Sequence, residues 1–249
     1  MHLLSPESLG AYWSVNEISV NIIIFLNLLG ALALGCLVGY ERAYHGRAAG
    51  MRTYGLVCMA SAALTVLSGY PQFWYGGHAA NIAVADPTRT IQGIVTGIGF
   101  LGAGVIMKDG FSISGLTTAA SLWASSAIGV MVGVGFYATA ILLAFLSAAC
   151  MMWGARLEGW LPSHPAIAVS IRFKNGIVPQ VDVLRRLSHE RGYTIAGGSF
   201  SVAFQDGQSE WRFVAIVQGK RRAASLTDLS NEISKFDGVQ SFNISHARN

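Results

Sequence analysis

Residues 110–155 read GFSISGLTTAASLWASSAIGVMVGVGFYATAILLAFLSAACMMWGA, 46 positions without a single Asp, Glu, Lys or Arg. An α-helix rises 1.5 Å per residue, so about 20 apolar residues cross the ~30 Å of bilayer hydrocarbon. One helix cannot use 46, but two spans joined by a tight turn near Gly133-Val134-Gly135 can. Upstream, Ile18–Tyr40 supplies 23 uncharged residues before Glu41-Arg42, and Thr53–Ala85 holds one span (53–68) and a loop. Thr90–Met107 gives another between Arg89 and Lys108-Asp109, for an expected total of five.

The charges are distributed unevenly. Residues 1–155 contain five Lys/Arg and five Asp/Glu, whereas 156–249 contain twelve and eight. With 12% charged residues overall, 52% apolar and 29 glycines, the chain is neither disordered nor a plain soluble enzyme. A membrane part followed by a water-facing part accounts for the asymmetry. The net charge of +4 lies in the second part, where, apart from Lys220-Arg221-Arg222, basic residues are scattered through helix-like and strand-like runs. That pattern suits a domain beside an anionic leaflet, with no nucleic-acid partner. Cys36, Cys58 and Cys150 sit in apolar runs without metal-ligand spacing and read as buried thiols.

Orientation follows from Lys and Arg, which stay on the cytoplasmic side. Residues 1–17 have none, so they do not form a secretory signal, while the loop after the first span carries Arg42, Arg47 and Arg52. The expected layout is a periplasmic leader over 1–17, a five-helix membrane domain over 18–155, a linker over 156–165 and a cytoplasmic domain over 166–249. Tyr12-Trp13, Phe73-Trp74-Tyr75, Trp153 and Trp160 mark the interfaces.

Past the linker the period changes. Ala166–Phe173 alternates as a strand, and Ile177–Arg191 repeats apolar residues at helical spacing. Tyr193–Phe204 and Trp211–Gln218 read as strands around Asp206-Gly207, Ala223–Phe236 as a helix and Val239–Ile244 as a strand. The order βαββαβ is the ferredoxin-like arrangement. The expected fold class is therefore a membrane all-α bundle plus a C-terminal α+β ferredoxin-like, ACT-like cytoplasmic domain. A homodimer by edge pairing is one arrangement that such a domain permits.

Gly97-Ile98-Gly99-Phe100-Leu101-Gly102 matches the G-x-G-x-x-G fingerprint, but inside an apolar span it lacks the required βαβ setting. Glycines in a spanning helix instead admit a close neighbour, and Gly93/Gly97 and Gly35/Gly39 each share a face. Gly93, Gly97, Gly99, Gly102 and Gly104 are expected either to pack helices or to break one and line a polar cavity. Ser114, Thr117, Thr118, Ser121 and Ser125 form a hydroxyl stripe in the next span, suited to interhelical hydrogen bonds or to the same cavity.

Ionisable groups fall at span ends: Glu41, Arg42, Arg52, Asp86, Arg89, Lys108 and Asp109. A charge at mid-bilayer costs at least about 2.5–3.5 kcal/mol, and this chain avoids it. Glu41 is expected to pair with Arg52 or Arg42, and Asp86 with Arg89. The same acids, Glu41, Asp86 and Asp109, are the candidate metal ligands, and Mg²⁺ is the only cofactor considered. Asp86 belongs to the opposite side from the other two. His45 and His78 lie in opposite loops, and no nucleophile, base and orienting group occur together, so no enzyme activity is expected.

Several of these motifs, in order, resemble the MgtC/SapB family of bacterial inner-membrane proteins. The resemblance runs through Leu29-Gly30-Ala31, Gly35, Gly39 and Glu41-Arg42, then Ala49-Gly50-Met51-Arg52-Thr53 and Asp86-Pro87-Thr88-Arg89. It continues through Gly97–Ile106 and Gly115-Leu116-Thr117-Thr118-Ala119-Ala120-Ser121-Leu122-Trp123. Met51 stands where Leu is more usual. The resemblance implies a role in growth at low magnesium and, in pathogens, survival inside macrophages. It also implies modulation of membrane partners such as the proton-translocating ATP synthase, with an ACT-like tail. The alternative is a transporter or channel for Mg²⁺ or another cation, using the 97–104 segment and the hydroxyl stripe.

Overall fold

The structure is a computed structural model that describes residues 10, 12–77, 86–109, 112–160, 166–177, 179–205, 207–218 and 224–247. Most of the leader, the segment 161–165 of the linker, His78, Asp206 and Lys220-Arg221-Arg222 lie outside the described residues. The chain divides into two compact units, one of helices and one built mainly on a sheet.

The helical unit starts with α1, Val15–Tyr44, whose first turn is capped by the Ser14 hydroxyl accepting from the Glu17 amide at 3.2 Å. After a short turn come α2, Met51–Gly69, and a 3₁₀ segment, Pro71–Gly77. α3 spans Pro87–Val105, begun by Asp86 as cap and Pro87 in its first turn, where the missing proline N–H is not needed. A short hairpin, β1 (Met107–Asp109) with β2 (Ser112–Ser114), which belongs to the second unit, leads to α4, Leu116–Val134, and α5, Tyr137–Trp160. Gly135, at φ +93°, makes the tight turn between the last two helices.

Among the described residues four helices, α1, α2, α4 and α5, are long and apolar enough to cross a membrane. α3, the expected third span, matches α2 in length but carries Arg89 and Gln92 in its first two turns and is not among these four. α3 is also continuous through Gly97–Gly104, so of the two expected arrangements the broken helix is not formed there. The reason is energetic: glycine in a helix costs about 1 kcal/mol, whereas freed backbone groups in hydrocarbon cost several each. Ser114 belongs to β2 and not to the helix whose stripe it was expected to begin.

In the second unit β3 (Ala166–Phe173) is followed by α6 (Val181–Glu190), β4 (Tyr193–Ile195), β5 (Ser201–Gln205), β6 (Gln208–Val217), α7 (Leu226–Ser234) and β7 (Val239–Ala247). All the pairings are antiparallel, in the order β4-β6-β3-β7, with β5 also on β6. The single strand expected over Tyr193–Phe204 is two segments, interrupted around Gly197-Gly198, because glycine pairs there offer nothing to pack. Ile167, Val169, Ile171, Phe213 and Ala215 form the buried core on one face. On the other face, Glu210 accepts hydrogen bonds from Arg212 (2.7 Å), Ser170 (2.9 Å) and Arg172 (3.2 Å).

Candidate functional site

Two features of the helical unit carry its polar and steric specificity. The first is a buried seam between α1, α2 and α4. Gly35 of α1 lets α2 approach so closely that an added Cβ would stand 2.6 Å from the Tyr54 carbonyl oxygen. Gly129 and Gly133 of α4 do the same against Cys58, Ala62 and Thr65 of α2. Gly115 begins α4 at φ +87°, pressed against the Val105 carbonyl at the end of α3, so both conformation and space demand glycine.

Close approach brings hydroxyls within reach of one another. The Tyr54 hydroxyl bonds Ser121, Ser125 donates to the Tyr54 carbonyl at 2.9 Å, and Ser61 meets Ser126 at 2.8 Å. At one end Arg42 donates to Thr118 through Nη2. The expected stripe is thus consumed in interhelical hydrogen bonds at Thr118, Ser121 and Ser125, all buried, while Thr117 is exposed. Sequence reasoning passed over the partners Tyr54, Ser61 and Ser126, and also Asn27, which accepts from the Tyr137 hydroxyl at 2.7 Å. Isolated polar residues in apolar runs were their only signal.

Glu41 and Arg42 are buried at 7% and 3% exposure, yet do not pair with each other, since neighbouring residues on a helix point about 100° apart. Contrary to expectation, Glu41 meets neither Arg42 nor Arg52: its Oε1 lies 3.0 Å from His45 Nδ1, one turn on. Arg52, in the first turn of α2, is exposed. The Glu41 Oε2 and Arg42 Nε atoms are buried and have no hydrogen-bond partner among the described residues.

Asp86 and Arg89 do pair, at 3.8 Å. The Thr88 hydroxyl and amide both donate to the Asp86 carboxylate, at 2.6 and 2.9 Å, and hold it below its ordinary pKa. Ser68 of α2 bonds Thr90 at 2.6 Å, placing the start of α3 beside the far end of α2. Glu41 sits beside the near end, so roughly 27 Å of helix separates the two acids. Asp109 occupies the end of β1. Among the described residues no three His, Cys, Asp or Glu side chains converge where one metal ion could be held.

The second feature is the outer surface of α3. Ile94, Ile98 and Gly102 form its buried face, with Gly102 set against Ala119 of α4. Gly93, Gly97, Gly99 and Gly104 point elsewhere, and a Cβ at any of them would meet nothing within 4 Å. Phe100, on the same side, is 81% exposed.

Similarity to known proteins falls on this same unit. The MgtC family profile matches residues 28–160, just over half of the chain. Protein MgtC of Brucella abortus (strain 2308) is 45% identical over 108 residues, covering 43% of this chain and 41% of that protein. Protein MgtC of Salmonella typhimurium (strain LT2) is 45% identical over 116 residues, covering 47% and 46%. The matched region therefore spans less than half the length of these relatives. No solved structure matches the chain. The matched segment contains the buried residues Glu41 and Arg42, the glycine contacts of the α2–α4 seam and the open face of α3, and since the profile match covers more than half of the chain, the chain belongs to the MgtC family.

Proposed function

We propose that the protein is a non-enzymatic regulator of the bacterial inner membrane that acts by docking a membrane partner on α3. The observation that carries this reading is the row Gly93, Gly97 and Gly104, small positions on one side of a helix where, among the described residues, nothing lies within 4 Å of an added Cβ. Small residues of this kind permit another helix to come close, with van der Waals contact as the main attraction. In this reading α3 is a fifth span, the amino terminus is periplasmic and the sheet domain, ACT-like in character, is cytoplasmic. The partner is a multi-subunit membrane machine such as ATP synthase, and the physiological setting is adaptation to low magnesium and survival inside macrophages.

Gly97→Leu is the cleanest test, because its side chain would project into open space, whereas Leu at Gly102 would strike Ala119 and disturb the bundle. The variant is expected to express and fold normally while partner recovery after membrane crosslinking falls about ten-fold. Growth support at low magnesium should be lost with it. Unchanged recovery would reject the docking surface. Purified wild-type protein in liposomes should pass no Mg²⁺ above empty vesicles; vectorial flux would move the assignment to the transporter alternative.

A further inference from the structure

The sheet unit contains a cavity of about 590 Å³ between its apolar face and the two helices that cover it. Val169, Ile171, Trp211 and Phe213 form the floor, while Leu184 and Leu187 of α6 and Leu229 and Ile233 of α7 close it from above. Neither helix buries a single residue completely: Leu184 of α6 and Leu229 and Ile233 of α7 touch the core but stay partly open towards the space. The volume falls inside the range of about 300–1,000 Å³ typical of small-ligand sites.

The lining specifies the ligand chemistry. The floor presents rings and methyl groups, and the Tyr193 hydroxyl is already engaged, donating to the Ala224 carbonyl at 2.8 Å. An occupant must therefore be hydrocarbon where it is buried, because a polar atom there would lose its water without replacement. Polar groups stand at the rim: Arg191, Lys235 and Glu232, with Arg191 and Glu232 paired at 2.7 Å across α6 and α7. Two cations against one anion favour a negatively charged head. We propose that this cavity binds a free long-chain fatty acid, its chain over Trp211 and Phe213 and its carboxylate at Arg191 and Lys235. Such a ligand would bridge α6 and α7, so its binding would stiffen their attachment to the sheet. The site lies in the sheet unit and goes beyond the docking role of α3.

The test uses the full chain in native-lipid particles and a diazirine-bearing palmitate, with crosslinked peptides identified by mass spectrometry. Label is expected on the α6 and α7 peptides and should fall about ten-fold with excess palmitate. Leu184→Trp, which fills the cavity, should reduce it at least about five-fold. Lys235→Glu, at an exposed position that leaves the core intact, should reduce palmitate labelling about three-fold while sparing a diazirine hexadecanol. Labelling that excess palmitate does not remove, or that both variants leave unchanged, would overturn the proposal. Equally strong labelling of these peptides by a diazirine phosphatidylglycerol would overturn it as well, by showing a two-chain membrane lipid in place of a free fatty acid.

Discussion

Gly129 and Gly133 on α4 are each met by α2, the first by the Cys58 carbonyl and the second by Thr65 and the Ala62 carbonyl oxygen, 2.8 Å from where a Cβ would stand. On α3, by contrast, Gly93, Gly97, Gly99 and Gly104 have open space in front of them. Both helices carry glycines, are 19 residues long and belong to the same family-matched segment. What separates them is whether the chain itself supplies the neighbour. In the α2–α4 seam, proximity has been converted into the Tyr54–Ser121 and Ser61–Ser126 hydrogen bonds. Along α3 only Gly102 meets a neighbouring helix, at Ala119, and the other four glycines meet none among the described residues.

Substitutions can break or sharpen that contrast. The largest effect is expected at Gly129→Leu, where the new side chain must displace the α2 backbone. Destabilisation should exceed about 3 kcal/mol, and little folded protein should survive detergent extraction and size-exclusion chromatography. A wild-type melting temperature there would dissolve the distinction. Tyr54→Phe keeps the packing and removes only the hydroxyl bonded to Ser121, so about 1 kcal/mol should be lost, read from unfolding in mixed micelles.

The sheet unit offers a smaller, pH-dependent counterpart. Arg212, Arg172 and Ser170 donate to the Glu210 carboxylate and lower its pKa from 4.5 to about 2. The unfolded chain therefore takes up this proton first, so the contribution is complete above about pH 4.5 and is lost as the pH falls towards about 2. Glu210→Gln should flatten the stability profile in that window. Near neutrality its cost should be at most about 1 kcal/mol, since both arginines are about half exposed. The least damaging change is Gly97→Ala, which meets nothing within 4 Å and only relieves glycine's helix penalty, so it should stabilise by up to about 1 kcal/mol. A large loss would mean that α3 is packed within the chain after all.

Much of the candidate site could be foreseen, though its pairings could not. The Ser/Thr stripe of α4 was visible as a periodicity, but its partners Tyr54 and Ser61 lie more than sixty residues away and carry no complementary pattern. Glu41 was matched with arginines on grounds of charge, whereas local geometry gave it His45, whose place one turn along the helix the i, i+4 rule could have supplied. Arg42, free of Glu41, reaches Thr118 across 76 positions of sequence. The interruption between β4 and β5 had a signal in Gly197-Gly198 that the alternating apolar residues on either side obscured.

The sequence by itself determined which long stretches are apolar enough to cross a bilayer, and where helical periodicity gives way to alternation. Those are averages over many residues, and transfer energies add along a segment whatever its neighbours are. Tertiary structure alone decided which glycines would touch another helix and which would face outward. Glycine has no side chain to record its surroundings, so only the packing of the helices distinguishes Gly129 from Gly97.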